Sequence, residues 1–222
     1  TPALTLANGF GGFTDNGRAY VITPDHGAEP PMPWVNVIAN PSFGTIVTDR
    51  GSSHTWADNS RENRLTPFAN DPVSDPTAEA IYVRDDRSGD AWSPSLGPLP
   101  HTTGGRPLVQ HSAGLTEFIG QSYGISHALD VYVDTSDPVK FSVLTLTNAG
   151  REPRTLSIFA YNEWSLGPPR AGHREHTVTD VDPATGAVCA SNAYNEEYAT
   201  RVAFAVASAP LQSATEIGRA HV

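Results

Sequence analysis

The chain has 222 residues, with 24 acidic side chains against 14 basic ones, a net charge of −10, one cysteine and 19 each of glycine and proline. That Gly plus Pro share exceeds the usual ~12% but stays below the ~25–30% of low-complexity chains, so a folded domain is expected, and one all-β domain can use the whole length. Thirteen arginines and a single lysine, Lys140, form no basic stripe, which excludes nucleic acid as a partner; Cys189 alone cannot form an intrachain disulfide and reads as a small buried hydrophobe.

Valine (17) and isoleucine (8) outnumber leucine (13), and 21 threonines add further β-branching, a mix that suits pleated strands. In chain order, the first feature is Asn8-Gly9-Phe10-Gly11-Gly12-Phe13. A phosphate loop needs a following helix, but here an Asp15-Asn16-Gly17 turn and a strand over Ala19–Thr23 follow, so the glycines read as tight turns at a sandwich edge. From Trp34 to Pro76, short strands (Val35–Ile38, Thr45–Thr48) alternate with polar loops, and loops of that length tend to carry function. Glu79–Arg84 and Ala91–Ser93 flank the hairpin signal Asp86-Arg87-Ser88-Gly89-Asp90.

Ile125 to Val133 alternates as a half-buried strand, with Ile125, His127, Leu129, Val131 and Val133 on one side. Val139–Thr147 and Arg154–Trp164 are apolar on both parities and read as interior strands covered on two faces. The turn Asp134–Pro138 joins the first two of these strands. Asn148-Ala149-Gly150 with Pro153 predicts a second antiparallel hairpin, and Asp182–Gly186 a third, between Thr177–Val181 and Ala187–Ala190. With eleven to thirteen strands expected and no amphipathic helix, the fold class is all-β, a large antiparallel two-sheet sandwich. The N-terminal TPALTLANGF lacks the regions of a signal peptide, and no apolar run reaches the ~18 residues of a membrane span, so the segment reads as soluble.

Several groupings offer chemistry. His173 and His176 are two imidazoles without the partners of a zinc site, and Asp71, Asp75, Asp85 and Asp86 lack the spacing of a calcium loop, so no metal is assigned. Trp34, Trp56 and Trp92 offer faces on which pyranose rings stack, and Arg64, Asn70, Asp71, Arg84 and His111 offer hydrogen bonds to hydroxyls. These eight are the candidate carbohydrate-binding residues. A mutarotase-like epimerase would pair His111 or His127 with Glu117 on adjacent strands as acid and base. A free-standing carbohydrate-binding module is the other rival reading.

The blocks NGFGGFTDNGRAYVI (Asn8–Ile22), PPMPWVNVIANPSFGTIVTDRGSSHTWADNSRENRLTPFANDPVSDP (Pro30–Pro76), EAIYVRDDRSGDAWSP (Glu79–Pro94), HSAGLTEF (His111–Phe118), DPVKFSVLTLTN (Asp137–Asn148) and YNEWSLG (Tyr161–Gly167) stand in one order along the chain. Together they resemble the N-terminal β-supersandwich domain of glycoside hydrolase family 94, formerly glycosyltransferase family 36, and within it the phosphorylase-like region of cyclic β-1,2-glucan synthases. The resemblance covers about residues 8 to 207. Phe68 stands where the family pattern usually has Trp, and Gln110-His111-Ser112-Ala113 where Arg-His-Gly-x is commoner.

The resemblance implies a galactose mutarotase-like supersandwich over 1–216, without catalytic residues of its own, followed in the parent enzyme by an (α/α)6 barrel absent from this sequence. In such a parent the barrel's catalytic Asp protonates the glycosidic oxygen while inorganic phosphate, the co-substrate, attacks the anomeric carbon. No further cofactor is implied. The implied roles of the sandwich are binding a β-glucan oligosaccharide, packing on the barrel and, in stand-alone phosphorylases, joining a homodimer. The implied location is cytoplasmic, or the cytoplasmic face of the inner membrane within a larger synthase.

Glu216 to Val222 depart from the family and are what translation of GAG ATC GGA AGA GCA CAC GTC, which looks like a sequencing-adapter read, would give. The artefact is therefore expected to run from Ile217 to Val222. Resequencing the locus should replace them with a frame leading into a barrel; native DNA encoding this same tail would overturn the expectation.

Overall fold

A computed structural model describes residues 3–23, 30–71, 73–99, 105, 107–168 and 174–215. Sixteen strands are found among them and no α-helix. A seven-stranded antiparallel sheet has the order β1 (Leu4–Thr5), β2 (Gly11–Thr14), β3 (Ala19–Ile22), β9 (Leu108–Ser112), β10 (Leu115–Ser122), β11 (Ile125–Val133), β12 (Lys140–Asn148). Three smaller sheets accompany it: β4 (Val35–Ala39), β5 (Phe43–Thr48) and β6 (Ser53–Ala57); β13 (Leu156–Asn162), β7 (Glu79–Asp85) and β8 (Ala91–Trp92); and β14 (Thr177–Val181), β15 (Val188–Asn192) and β16 (Ala203–Ala205). The expected all-β antiparallel architecture is what forms. The strands beyond the expected number include β1 and β16, which are too short to show a period.

Alternation works as anticipated on β11, where Ile125, His127, Leu129, Val131 and Val133 are all buried. Leu129, Val131 and Val133 meet Ile38, Phe43 and Val47 of the β4–β5–β6 sheet to form the main core, with Ile22, Val109 and Phe118 from the large sheet. Two asparagines of the β4 region hold these layers in register. Asn36 Nδ2 lies 2.9 and 3.1 Å from the carbonyls of Ser112 and Leu115, and Asn40 Nδ2 donates at 2.9 Å to those of Asp134 and Asp137. A second core joins Val83 and Trp92 to Ile125, and a third joins Leu166 to Ala190 and Ala203.

The hairpins at Asp86–Asp90, Asp134–Pro138 and Asp182–Gly186 form as predicted. The one predicted at Asn148–Pro153 does not: β13 pairs with β7, so the connection leaves the large sheet for another. Arg154 anchors that crossing, ion-pairing with Asp85 and donating at 3.1 Å to the carbonyl of Tyr123. Nor are β12 and β13 covered on both faces. Each is the last strand of its sheet, and Phe141, Val143, Ile158 and Phe159 are 40%, 43%, 49% and 46% exposed. Cys189, expected to be buried, is half-buried on β15.

Three sheets meet at Lys140. Its ammonium, at the start of β12, pairs with Glu79 of β7 and lies 3.2 Å from Thr55 Oγ1 of β6. Glu79 Oε1 accepts from Thr55 Oγ1 at 2.6 Å and Thr66 Oγ1 at 2.7 Å. Burial pushes the Glu79 carboxyl up, but the Lys140 charge and these hydroxyls outweigh it and hold it below its ordinary 4.5. A depressed folded-state value adds stability that is fully present above 4.5 and is lost as pH falls from there through the lowered value. Lys140→Met should destabilise the fold by about 3–5 kcal/mol in urea titration by stranding a buried carboxylate, and Glu79→Gln/Lys140→Met should recover most of the loss. Equal stability of the single variant and wild type would refute this role of the Lys140–Glu79 pair.

Candidate functional site

Asn8, Phe13, Tyr20, Trp34, Val35 and His111 line a cleft of about 420 Å³ where β2, β3 and β9 meet the start of β4. Asn8 shapes its rim: Oδ1 accepts the backbone N–H of Phe10 at 3.1 Å and of Gly11 at 3.2 Å. Gly11 is required there, because a Cβ would sit 2.1 Å from the carbonyl oxygen of Val21. The rings pack edge to face, Phe13 on Tyr20 at 5.0 Å and Tyr20 on Trp34 at 5.3 Å between centroids. The Tyr20 hydroxyl is buried and has no hydrogen-bond partner among the described residues.

The Trp34 backbone is held on both sides by Asp49, whose carboxylate accepts its N–H at 3.0 Å and whose N–H donates to its carbonyl at 2.8 Å. His111 Nε2 lies 3.3 Å from that same carbonyl, and Nδ1 lies 3.0 Å from Thr116 Oγ1. A carbonyl only accepts, so Nε2 carries the proton and Nδ1 faces the threonine hydroxyl. Burial lowers the His111 pKa, and the neutral ring is the form this geometry uses.

Both nitrogens of His111 are therefore engaged, and neither meets a carboxylate. Glu117 is opposite Gln110 in the β9–β10 register and accepts from its Nε2 at 2.7 Å, whereas His111 is opposite Thr116. Alternation puts His111 and Glu117 on opposite faces of the sheet. His127, buried on the core face of β11, is likewise separated from Glu117, which is opposite Asp130 in the β10–β11 register. The epimerase pairing is therefore corrected.

The other predicted residues lie elsewhere. Trp56 and Arg64 form an isolated bridge, and the indole covers Gly44 so closely that a Cβ there would be 2.3 Å from it. Arg64 donates to the carbonyls of Ser60 at 3.2 Å and Phe68 at 3.3 Å, and Phe68 stacks on His54. Asn70 is exposed with φ 51°, and the exposed Asp71 carboxylate accepts from Ser74 Oγ and the N–H groups of Val73 and Ser74, contacts that lower its pKa. Arg84 lies on β7, over the Phe159 ring and paired with Asp86. Trp92 is wholly buried in the second core, so no sugar can stack on it; that assignment is corrected. Of the eight candidates, only Trp34 and His111 share the cleft. Asn8, Phe13 and Tyr20 were missed, because β3 pairs with β9 across some ninety residues and no local pattern signals it. Among the described residues no His, Cys, Asp and Glu cluster suited to a metal ion occurs, and His173 lies outside them.

Residues 18–219 match the family described as Glycosyl hydrolase 94, supersandwich domain, and the chain belongs to that family. It is 33% identical over 201 residues to the cyclic beta-(1,2)-glucan synthase NdvB of Rhizobium meliloti (strain 1021), covering 90% of this chain and 7% of that protein. It is 27% identical over 172 residues to an N,N'-diacetylchitobiose phosphorylase of Vibrio furnissii, covering 77% and 21% respectively. Against a solabiose phosphorylase of Paenibacillus borealis it is 30% identical over 166 residues, covering 71% and 20%. The chain thus spans between 7% and 21% of the length of these relatives.

Asp49 gives the site a pH signature. Burial pushes its carboxyl from 3.8 up to about 6, with the Trp34 N–H and Arg50 opposing and Asp75 reinforcing the rise. A raised folded-state value means that stability falls as pH climbs from about 4 through 6, by up to ~1.4 kcal/mol per unit. An amide in place of this carboxyl would keep the acceptor for Trp34 without the charge. Asp49→Asn should therefore match wild type near pH 4 and exceed it above pH 6 in thermal melts; parallel pH profiles would exclude the assignment.

Proposed function

We propose that this domain is the non-catalytic, carbohydrate-binding scaffold of a longer β-glucan-active enzyme of the synthase or phosphorylase type. The observation that carries the reading is the set of exposed apolar side chains on the terminal strands β12 and β13, Phe141 and Val143 on one face of β12 and Ile158 and Phe159 on opposite faces of β13. Exposed large apolar side chains gathered on terminal strands point to an interaction surface, and a free strand edge is open to pairing. The occupant proposed is the catalytic barrel of the same chain, consistent with the small share of its relatives' length that this chain spans. Carbohydrate contact is assigned to the Trp34 and His111 cleft and to the loop carrying Trp56, Arg64, Asn70 and Asp71.

The reaction of the parent enzyme would take inorganic phosphate and cleave or form a β-glucosidic bond in the barrel. This reading places no proton transfer in the sandwich, because the cleft histidine, His111, gives its two nitrogens to Thr116 and the Trp34 carbonyl, and Glu117 is on the opposite face of the sheet. Among the described residues no helix is long and apolar enough to cross a membrane, so any attachment to the inner membrane through such a helix would belong to other parts of the parent.

The purified chain should release no glucose 1-phosphate from β-1,2-glucan and phosphate, and release of it would overturn the scaffold role. It should also bind an environment-sensitive apolar dye and self-associate, both reduced in Val143→Lys and Phe159→Lys. A monodisperse chain with no dye-binding surface would count against the docking face.

A further inference from the structure

We infer that the cleft between Asn8, Tyr20 and Trp34 is a subsite for a single glucosyl unit of a β-glucan, with Asn8 and Tyr20 as its hydrogen-bonding groups. This rests on the carbohydrate-binding reading above and names residues that neither the sequence motifs nor the family match assign.

Size and chemistry agree on a small, amphipathic ligand. A volume of about 420 Å³ lies in the ~300–1,000 Å³ range of small-molecule sites, whose walls are mostly apolar with a few polar groups. Here the walls are Phe13, Tyr20, Trp34 and Val35. A pyranose has the matching character, with C–H faces that pack on aromatic rings and hydroxyls around its rim.

Two polar groups await partners. Asn8 Oδ1 is committed to the N–H groups of Phe10 and Gly11, which fixes the amide, and its exposed Nδ2 meets no acceptor among the described residues. Tyr20 Oη is buried without a partner among the described residues, an unsatisfied state that an acceptor or donor would relieve. An apolar side chain entering the cleft would leave both unsatisfied, whereas a sugar brings several hydroxyls. Phe13 packs edge-on against Tyr20 and is 38% exposed; because the Tyr20 hydroxyl is buried, its contact with a sugar requires a neighbouring wall of the cleft to move aside. His111 plays a different part: committed to Trp34 and Thr116, it fixes the back of the cleft.

Two substitutions separate ligand contact from structure. Tyr20→Phe removes one oxygen that bonds nothing in the protein, so the melting temperature should not fall. Asn8→Asp keeps the acceptor that shapes the turn and removes the donors. Calorimetric titration of the whole chain with methyl β-glucoside and a linear β-1,2-glucan should show binding weakened about threefold to tenfold in each variant, the loss of one hydrogen bond. Wild-type binding that both variants retain in full would overturn this subsite and leave carbohydrate binding elsewhere on the domain intact. Absence of binding by wild type would overturn both. A lowered melting temperature in Tyr20→Phe would show that the hydroxyl serves the fold, and would also overturn the assignment.

Discussion

The two ends of β7 hold the layers of this protein together. At Glu79 a carboxylate meets the ammonium of Lys140 and the hydroxyls of Thr55 and Thr66, and at Asp85 another meets the guanidinium of Arg154. The first joins β7 to β12 and β6, three strands from three different sheets. The second ties β7 to the segment that enters β13 and, through Arg154, to the turn before β11. Apolar packing would tolerate sliding between such faces, but a buried charge is costly unless its partner sits in one position. These pairs therefore act mainly on register, and the valines and aromatics between them supply the burial.

The sequence shows what has to be covered better than it shows what does the covering. On β11 one apolar face meant one buried face, and strand, register partner and hairpin all followed from local signals. On β12 and β13 apolar residues at both parities implied two covered faces, yet each strand ends its sheet with one or both faces in water. The periodicity was sound, and its demand is unmet within these residues. The misplaced hairpin at Asn148–Pro153 has a related cause: a short connection permits antiparallel pairing but does not oblige the second strand to stay in the same sheet.

The site was half legible for a similar reason. Residue type alone proposed Trp34 and His111, and the fold brought them together through the shared carbonyl of Trp34. Trp92 was chosen on the same grounds and is wholly buried in the second core, because a large aromatic serves packing as readily as recognition. Tyr20 and Asn8 had no signal of their own. Tyr20 reads as one residue of a short strand, and its place in the cleft comes from pairing with a strand far away in sequence. Asn8 reads as turn punctuation, and only its fixed amide shows that one end of the side chain is committed and the other is not.

Lys140 has a chemical consequence beyond its ion pair. It is the sole lysine in 222 residues, and its side chain is 15% exposed. Acylating and alkylating reagents must reach the amine, and one held against the Glu79 carboxylate where three sheets meet is poorly accessible to them. Lysine-directed labelling of the native protein would therefore be slow, and its rate would report how often the junction of the three sheets opens. Immobilisation or dye attachment through lysine would select molecules whose layers have parted.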